Sequence, residues 1–261
     1  MADNNNERPA RRRGVFAAVL ALVGSVLLPG QAGAIIGGGE VGTPLSWIAS
    51  VQLPDGGHTC GGTLVAPRWV LTAFHCTLAG PDLRVRVGSL DRTGGGEVAT
   101  VVGRRPYPGT GCDPVAHTCG GVDLVLMELD HPVSARPADL ATESPAAGSP
   151  MRALGWGYTC DTAECLDLPV RLREVTLPVD PSAACDRGEK QYLCFQDPDR
   201  GSLAGDSGSP ALTRTPHGWR VAGVTSGGGR DTETGVRVSS YVDVSAYRDW
   251  VRSVTCPEPA V

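Results

Sequence analysis

Beyond residue 34 the chain is a succession of short apolar runs in which buried and solvent-facing positions alternate. A first set reads "SWIASVQL" (46–53), "GTLVAPRWVLTA" (62–73), "LRVRVGSL" (83–90), "EVATVVG" (97–103) and "VDLVLMEL" (122–129). A second reads "MRALGWG" (151–157), "LREVTLPV" (172–179), "YLCF" (192–195), "PALT" (210–213), "WRVAGVTS" (219–226) and "SSYVDV" (239–244). Gly, Pro, Asp or Asn clusters separate the runs, so period-two strands joined by tight turns are expected, as in antiparallel barrels or sandwiches. Between the sets, "HPVSARPADLATESPAAGSP" (131–150) has no apolar period and reads as a linker between two β units. Only the end looks helical: Tyr247, Trp250, Val251 and Val254 fall at helical spacing, with Ser245 placed as an N-cap.

Composition sharpens this picture. With 261 residues, 41% of them hydrophobic, the chain can bury a real core, and 35 Gly and 21 Pro favour turns over long helices. A net charge of −5, with no basic run after Arg13, argues against nucleic acid as a partner. Residues 1–34 read as a secretory signal. Arg8 and Arg11–Arg13 are basic, Val15–Leu28 is apolar, and Ala32-Gly33-Ala34 fits a small-residue cleavage site. The apolar run is shorter than a membrane span needs, so no stable membrane association is expected.

Nine cysteines agree with a secreted, extracellular protein. Cys60 and Cys76, Cys112 and Cys119, Cys160 and Cys165, and Cys185 and Cys194 are close in sequence, which suggests four disulfides and leaves Cys256 over. With no C-x-x-C and only five scattered histidines, a zinc site is not expected. Asp91 and Glu97 are too few ligands for calcium, so neither metal nor cofactor is expected.

The candidate chemistry lies in "AGDSGSP" (204–210). A serine hydroxyl is a poor nucleophile until a base takes its proton, and a buried carboxylate fixes the tautomer of an imidazole base. His75 ends an apolar strand, Asp123 opens another, and Ser207 sits in the glycine turn. Gly205 lets the backbone present the N–H groups of Gly205 and Ser207 to a developing oxyanion. The order His, Asp, Ser excludes a lipase-type α/β-hydrolase, which runs Ser, Asp, His.

These residues carry a resemblance to the chymotrypsin/trypsin family of secreted serine endopeptidases. Ile35-Ile36-Gly37-Gly38 is similar to the family's amino terminus, and Leu71–Cys76 to its "LTAAHC" with Phe74 as the one change. Asp123–Met127 and Gly205–Pro210 resemble two further family motifs, with Ser209 in place of a glycine; Trp156 and Tyr241 also match. The resemblance spans residues 35–261 and implies an all-β fold of two six-stranded antiparallel barrels, about 35–140 and 146–244, with a helix at about 245–254. It implies hydrolysis of peptide bonds in protein or peptide substrates, with His75, Asp123 and Ser207 as the triad, and protein protease inhibitors as further partners. The alternative is a catalytically silent binding protein on the same fold.

The resemblance also implies an activation ion pair between a new Ile35 terminus and Asp206. Ala34 abuts Ile35, so signal removal itself would create that terminus, unless cleavage falls one or two residues away. For substrate binding it points to Gly201 and Ser202 at the pocket base, and to Ser226 and Gly228 on its wall. Ser239 replaces a wall glycine and makes the pocket shallower. Gly201 stands where trypsin-like members carry Asp, so uncharged, mainly apolar P1 residues are expected. Asp197 or Asp199, in a shifted register, is the other reading.

Overall fold

The computed structural model describes residues 1–2, 35–113, 118–162, 165, 167–181 and 191–256. Two compact units divide the chain, Met1–Gly30 and Gln31–Val261. The expected signal segment lies almost wholly outside the described residues, and all that follows concerns the second unit.

The chain runs through β1 (Gly39–Glu40), β2 (Ile48–Gln52), β3 (His58–Ala66), β4 (Trp69–Thr72), β5 (Arg84–Val87) and β6 (Glu97–Pro106). A small hairpin, β7 (Gly111–Asp113) with β8 (Thr118–Gly120), leads to β9 (Val125–Leu129). Strands β2 to β6 and β9 close into an antiparallel barrel in the order β2-β3-β4-β9-β6-β5. Alternation is what closes it. Val85 and Val87 face inward while Arg84 and Arg86 face out, and Ala99 and Val101 are buried while Val98, Thr100 and Val102 are exposed. Strand β2 is buried on both faces because Ser50 and Gln52 hydrogen-bond inside, Gln52 Nε2 donating to Ser50 Oγ at 3.0 Å.

The second half consists of β10 (Pro150–Gly155), β11 (Arg173–Pro178), β12 (Tyr192–Asp197), β13 (Pro210–Thr215), β14 (Gly218–Arg230) and β15 (Arg237–Asp243). They form a curled sheet in the order β1-β11-β10-β13-β14-β15-β12. Here the structure differs in detail from two closed barrels. Among the described residues the ends of the second sheet meet through one isolated bridge, Asp180 to Cys194, instead of a ladder. The reason is local: β11 ends at Pro178, which has no N–H to carry the ladder onward. The sheet gains a seventh strand because Gly39 and Glu40, within the range expected for the first barrel, pair with Glu174 and Arg173.

The linker 131–150 has no strand before Pro150 but is tied at both ends. Val133 and Ala138 N–H donate to Pro67 and Leu64 of the first barrel, and Ala141 N–H to Val221 of the second sheet. Helix α1 (Val244–Thr255) closes the chain. Its cap is Asp243, not Ser245: the Asp243 carboxylate accepts both the backbone N–H and the hydroxyl of Ser245. Tyr247 and Trp250 meet Tyr107 edge-on at 4.8 and 5.4 Å between ring centres, docking the helix on the first barrel.

Candidate active site

Each candidate side chain projects from a place where strand geometry stops. Strand β4 gives way to a 3-10 turn, Phe74–Ala79, and a Cys60–Cys76 disulfide ties that turn to β3. His75 is thereby held half-exposed at the barrel rim. Asp123 occupies the apex of a three-residue turn closed by Leu124 N–H donating to Val122 C=O at 2.7 Å. The turn aims its carboxylate at the His75 backbone and ring together: Oδ1 accepts His75 N–H at 3.0 Å, and Oδ2 lies 2.8 Å from Nδ1. Ser226 Oγ also donates to Oδ2, at 2.7 Å. Burial, the largest single influence on Asp123, favours its neutral form; the bonds and charge of His75 and the Ser226 hydroxyl outweigh it and hold the carboxyl below its ordinary range.

Ser207 stands on the turn between β12 and β13, pinned from both halves of the fold. Its carbonyl accepts Gly61 N–H at 2.8 Å from the first barrel, while Gly208 N–H donates to Thr225 C=O at 2.7 Å in the second sheet. Gly208 has φ +75°, and a side chain there would collide with Thr72 Oγ1 and the Gly61 carbonyl. Among the described residues neither Gly205 N–H nor Ser207 N–H donates to another protein group. No hydrogen bond joins His75 Nε2 to Ser207 Oγ among them either, and such contacts commonly tighten only when substrate arrives.

Asp206 points away from Ser207 into the interior and is wholly buried. It accepts Gly157 N–H at 2.7 Å and Leu203 N–H at 2.9 Å. Side chains at Gly155 or Gly157 would overlap its carboxylate, which explains the glycines flanking Trp156. Burial pushes the Asp206 carboxyl up to about 7, against the pull of the two N–H groups. Ile35 is also fully buried, and Ile36 exchanges backbone hydrogen bonds of 3.0 and 3.2 Å with Gly201.

Gly201 and Ser202 lie together with Ser239: Ser202 N–H donates to Ser239 Oγ at 2.9 Å. The opposite wall rests directly on them. Ser202 Oγ donates to Gly227 C=O at 3.3 Å, and a side chain on Gly228 would collide with the Ser202 carbonyl. Asp197 is bound by Arg200 at 2.7 Å, and Asp199 is exposed. Neither carboxylate fills the base.

Of the cysteines, Cys160 bonds Cys165, Cys112 and Cys194 are disulfide-bonded, and Cys256 is an exposed free thiol. Cys112 faces Cys119 across β7 and β8; the side chain of Cys119, and all of Cys185, lie outside the described residues. Cys60, His75 and Cys76 are the one described His/Cys/Asp/Glu group close enough to share an ion, but both sulfurs are committed to the disulfide. Asp91 and Glu97 are taken up by Thr93 and by Ser134, respectively.

Three residues escape the sequence reading. Ser226 is expected on the pocket wall, and its hydroxyl has a further partner in Asp123. His58, buried beside Trp156, accepts from Ser50 Oγ at Nδ1 (2.8 Å) and donates from Nε2 to the Gly205 carbonyl (3.0 Å). Burial pushes its imidazole down to about 4, so the ring is neutral and this tautomer locks the peptide next to Gly205. Arg237, at the start of β15, runs beneath Gly201. Strand alternation predicts that His58 and Arg237 are inward or outward, but not what they meet there.

A family model described as Trypsin matches residues 35–251. The chain is 32% identical over 209 residues to a trypsin of Saccharopolyspora erythraea, covering 73% of this chain and 87% of that one. It is 30% identical over 236 residues to chymotrypsin-like elastase family member 3B of Homo sapiens, covering 82% and 86%. Among solved structures, neuropsin, a serine protease expressed in the limbic system of mouse brain, superposes with a TM-score of 0.71 at 23% identity, over 84% of this chain and 99% of that chain. That last likeness concerns the fold alone. With a match that begins at the buried Ile35 and takes in both halves of the fold, the chain belongs to the trypsin family and is a serine endopeptidase.

Proposed function

We propose that the protein is a secreted endopeptidase that cleaves peptide bonds through an acyl-enzyme at Ser207. His75 Nε2 takes the Ser207 Oγ proton as Oγ attacks the scissile carbonyl. The N–H groups of Gly205 and Ser207 stabilise the oxyanion. His75 then returns the proton to the leaving amine, and water, activated by the same imidazole, releases the acyl group. Asp123 orients His75 and stabilises its cation. The observation that carries this reading is the bidentate grip of Asp123 on His75, at 3.0 Å to its N–H and 2.8 Å to Nδ1. A silent binding protein has no use for a half-buried carboxylate that grips a rim histidine at both its backbone and its ring.

The proposal includes processing. Residues 1–34 act as the export signal, and its removal exposes Ile35 as an ammonium that pairs with Asp206. The support is that Asp206 is buried without a cation among its described hydrogen-bond partners, while Ile35 is already buried and Ile36 already bridges Gly201. Residues 35–261 are then the mature enzyme, open to protein inhibitors as well as substrates. At the pocket base, Gly201 and Ser202 offer no carboxylate, so Arg and Lys are disfavoured at P1. The sequence expectation of an apolar P1 residue leaves Arg237 out of account.

The test is Ser207→Ala, expressed from the full chain. Secretion and folding persist, while peptide and ester hydrolysis fall by several orders of magnitude. Near-normal turnover by the variant overturns the assignment. Edman sequencing of the secreted wild type starts at Ile35, and full activity with Ala34 retained overturns the activation step.

A further inference from the structure

The floor of the pocket contains a guanidinium that no group among the described residues fully satisfies. Arg237 pairs across the sheet with Asp197 on β12 and Arg230 on β14, which brings its side chain under Gly201. A Cβ on Gly201 would lie 3.6 Å from Arg237 Cβ and 3.9 Å from its Cδ, the atom that bears Nε. Arg237 is only 2% exposed. Nη2 donates to Asp161 Oδ2 at 2.5 Å, but Nε and Nη1 are buried with no hydrogen-bond partner.

Buried N–H donors of a charged group are costly to leave unmade, and Arg237 is the one described residue with two in that state. The nearby acids do not supply it. Asp161 is 43% exposed and divides itself between Arg237 and Arg230, whose Nε is 3.5 Å from the same oxygen. Asp197 holds Arg200, and Asp199 faces solvent. Two guanidiniums thus share one carboxylate below the pocket. Nε–H and Nη1 open on opposite edges of the guanidinium, so an entering carboxylate oxygen meets one of them, in a single charge-assisted hydrogen bond.

We propose that Arg237 is a specificity-determining residue and that the pocket receives an acidic P1 side chain, glutamate before all others. The proposal rests on Ser207 being the nucleophile. Glutamate is favoured over aspartate because Arg237 lies beneath Gly201, with the Ser239 hydroxyl between, so the longer arm is needed. The closed walls decide against an apolar residue. Any P1 side chain entering must part Ser202 from Gly227 and give up their hydrogen bond. An apolar group gains only contacts in exchange, whereas a carboxylate meets an unsatisfied donor of a charged group. Gly227, Gly228 and Gly229 leave that wall bare of side chains, so only backbone, held in its ladder with Ser240, Ser239 and Val238, has to give way.

The experiment measures kcat/KM for active enzyme, produced from the full chain, on peptides that differ only at P1: Glu, Asp, Gln, Leu and Arg. Gln is the decisive comparator because it has the shape of Glu without the charge. Cleavage after Glu exceeds that after Gln by about ten-fold or more, the scale of one hydrogen bond between charged groups. In Arg237→Gln that ratio collapses towards one, read on protein that still labels at Ser207 with a fluorophosphonate. Asp161→Asn, an exposed change that releases Nη2, raises the Glu to Gln ratio further. A wild-type ratio of one or less, with Ser207 still labelled and other peptides cleaved, overturns the inference and leaves the peptidase reading intact. Absence of both labelling and cleavage overturns that reading, and this one with it.

Discussion

Ser226 donates its hydroxyl to Oδ2 of Asp123, the same oxygen that holds His75 Nδ1. The bond crosses from the second sheet to the first barrel, so the carboxylate is gripped from both halves of the fold. A hydrogen bond to a charged group contributes about 1.5–3 kcal/mol. Ser226→Ala therefore lowers kcat by about ten-fold, because Asp123 keeps its two His75 contacts but loses its second anchor. Steady-state kinetics on a good peptide checks this; an unchanged kcat shows that the bond is ornamental to catalysis.

Asp123→Asn tests the other side of the carboxylate. An amide placed there turns an N–H toward His75 Nδ1 or leaves it without its charge, and either outcome favours the wrong tautomer. The expected loss in kcat is about 10⁴-fold, with KM little altered, by analogy with the general Ser-His-Asp template. The fold survives, since Asp123 sits on a rim turn and not in the packed interior. Circular dichroism matching the wild type, together with this loss, separates an orienting role from a structural one.

The strands and the three candidate catalytic residues are legible in the chain because both signals are local. Period-two alternation is a property of consecutive residues, and His75-Cys76 or Gly205–Ser209 are contiguous motifs. What is not legible depends on residues far apart. Pro178 can be read as a strand breaker, but its effect, leaving the second sheet joined among the described residues by the Asp180–Cys194 bridge, requires knowing which strand comes next in space. His58 and Arg237 look like any strand residue until the sheet puts the Gly205 carbonyl or Gly201 against them. Ser226 was readable as a wall residue, and only the inter-barrel geometry reveals its bond to Asp123.

The substituted turn residue Ser209 is accommodated by a glycine 148 positions upstream in the sequence. Ser209 is fully buried and its hydroxyl has no partner, while a side chain on Gly61 would overlap that hydroxyl and approach Ser209 Cα to 2.8 Å. Gly61→Ala overpacks this contact and costs about 1–3 kcal/mol of stability. It also lowers activity, because Gly61 N–H holds the Ser207 carbonyl. Ser209→Gly removes an orphan hydroxyl but adds backbone freedom, and changes stability by less than about 1 kcal/mol. The double variant regains part of the Gly61→Ala loss. Strict additivity in urea denaturation would mean that the two positions do not share the space the structure gives them.

Asp206 and His58 make opposite demands on pH, and activation separates them. Asp206 has its folded carboxyl raised to about 7 from 3.8. Its contribution is fully present below 3.8, where the group is neutral in both states, and is lost as pH rises to about 7. His58 has its folded imidazole lowered to about 4 from 6.5. Its contribution is fully present above 6.5 and is lost as pH falls towards 4, because the unfolded chain takes up a proton that the folded one excludes. At about 1.4 kcal/mol per tenfold change in proton affinity, these are roughly 4 and roughly 3 kcal/mol. In the uncleaved chain they oppose each other, and stability varies little between pH 4 and 7. Once an Ile35 ammonium pairs with Asp206, the carboxyl titrates lower and the first effect shrinks, so stability rises with pH across that window. Asp206→Asn in the uncleaved chain, on a Ser207→Ala background that prevents self-cleavage, unmasks the same rise. Urea denaturation at half-unit pH steps reads it directly. A flat profile in Asp206→Asn would show that His58 takes up protons in the folded state as readily as in the unfolded one.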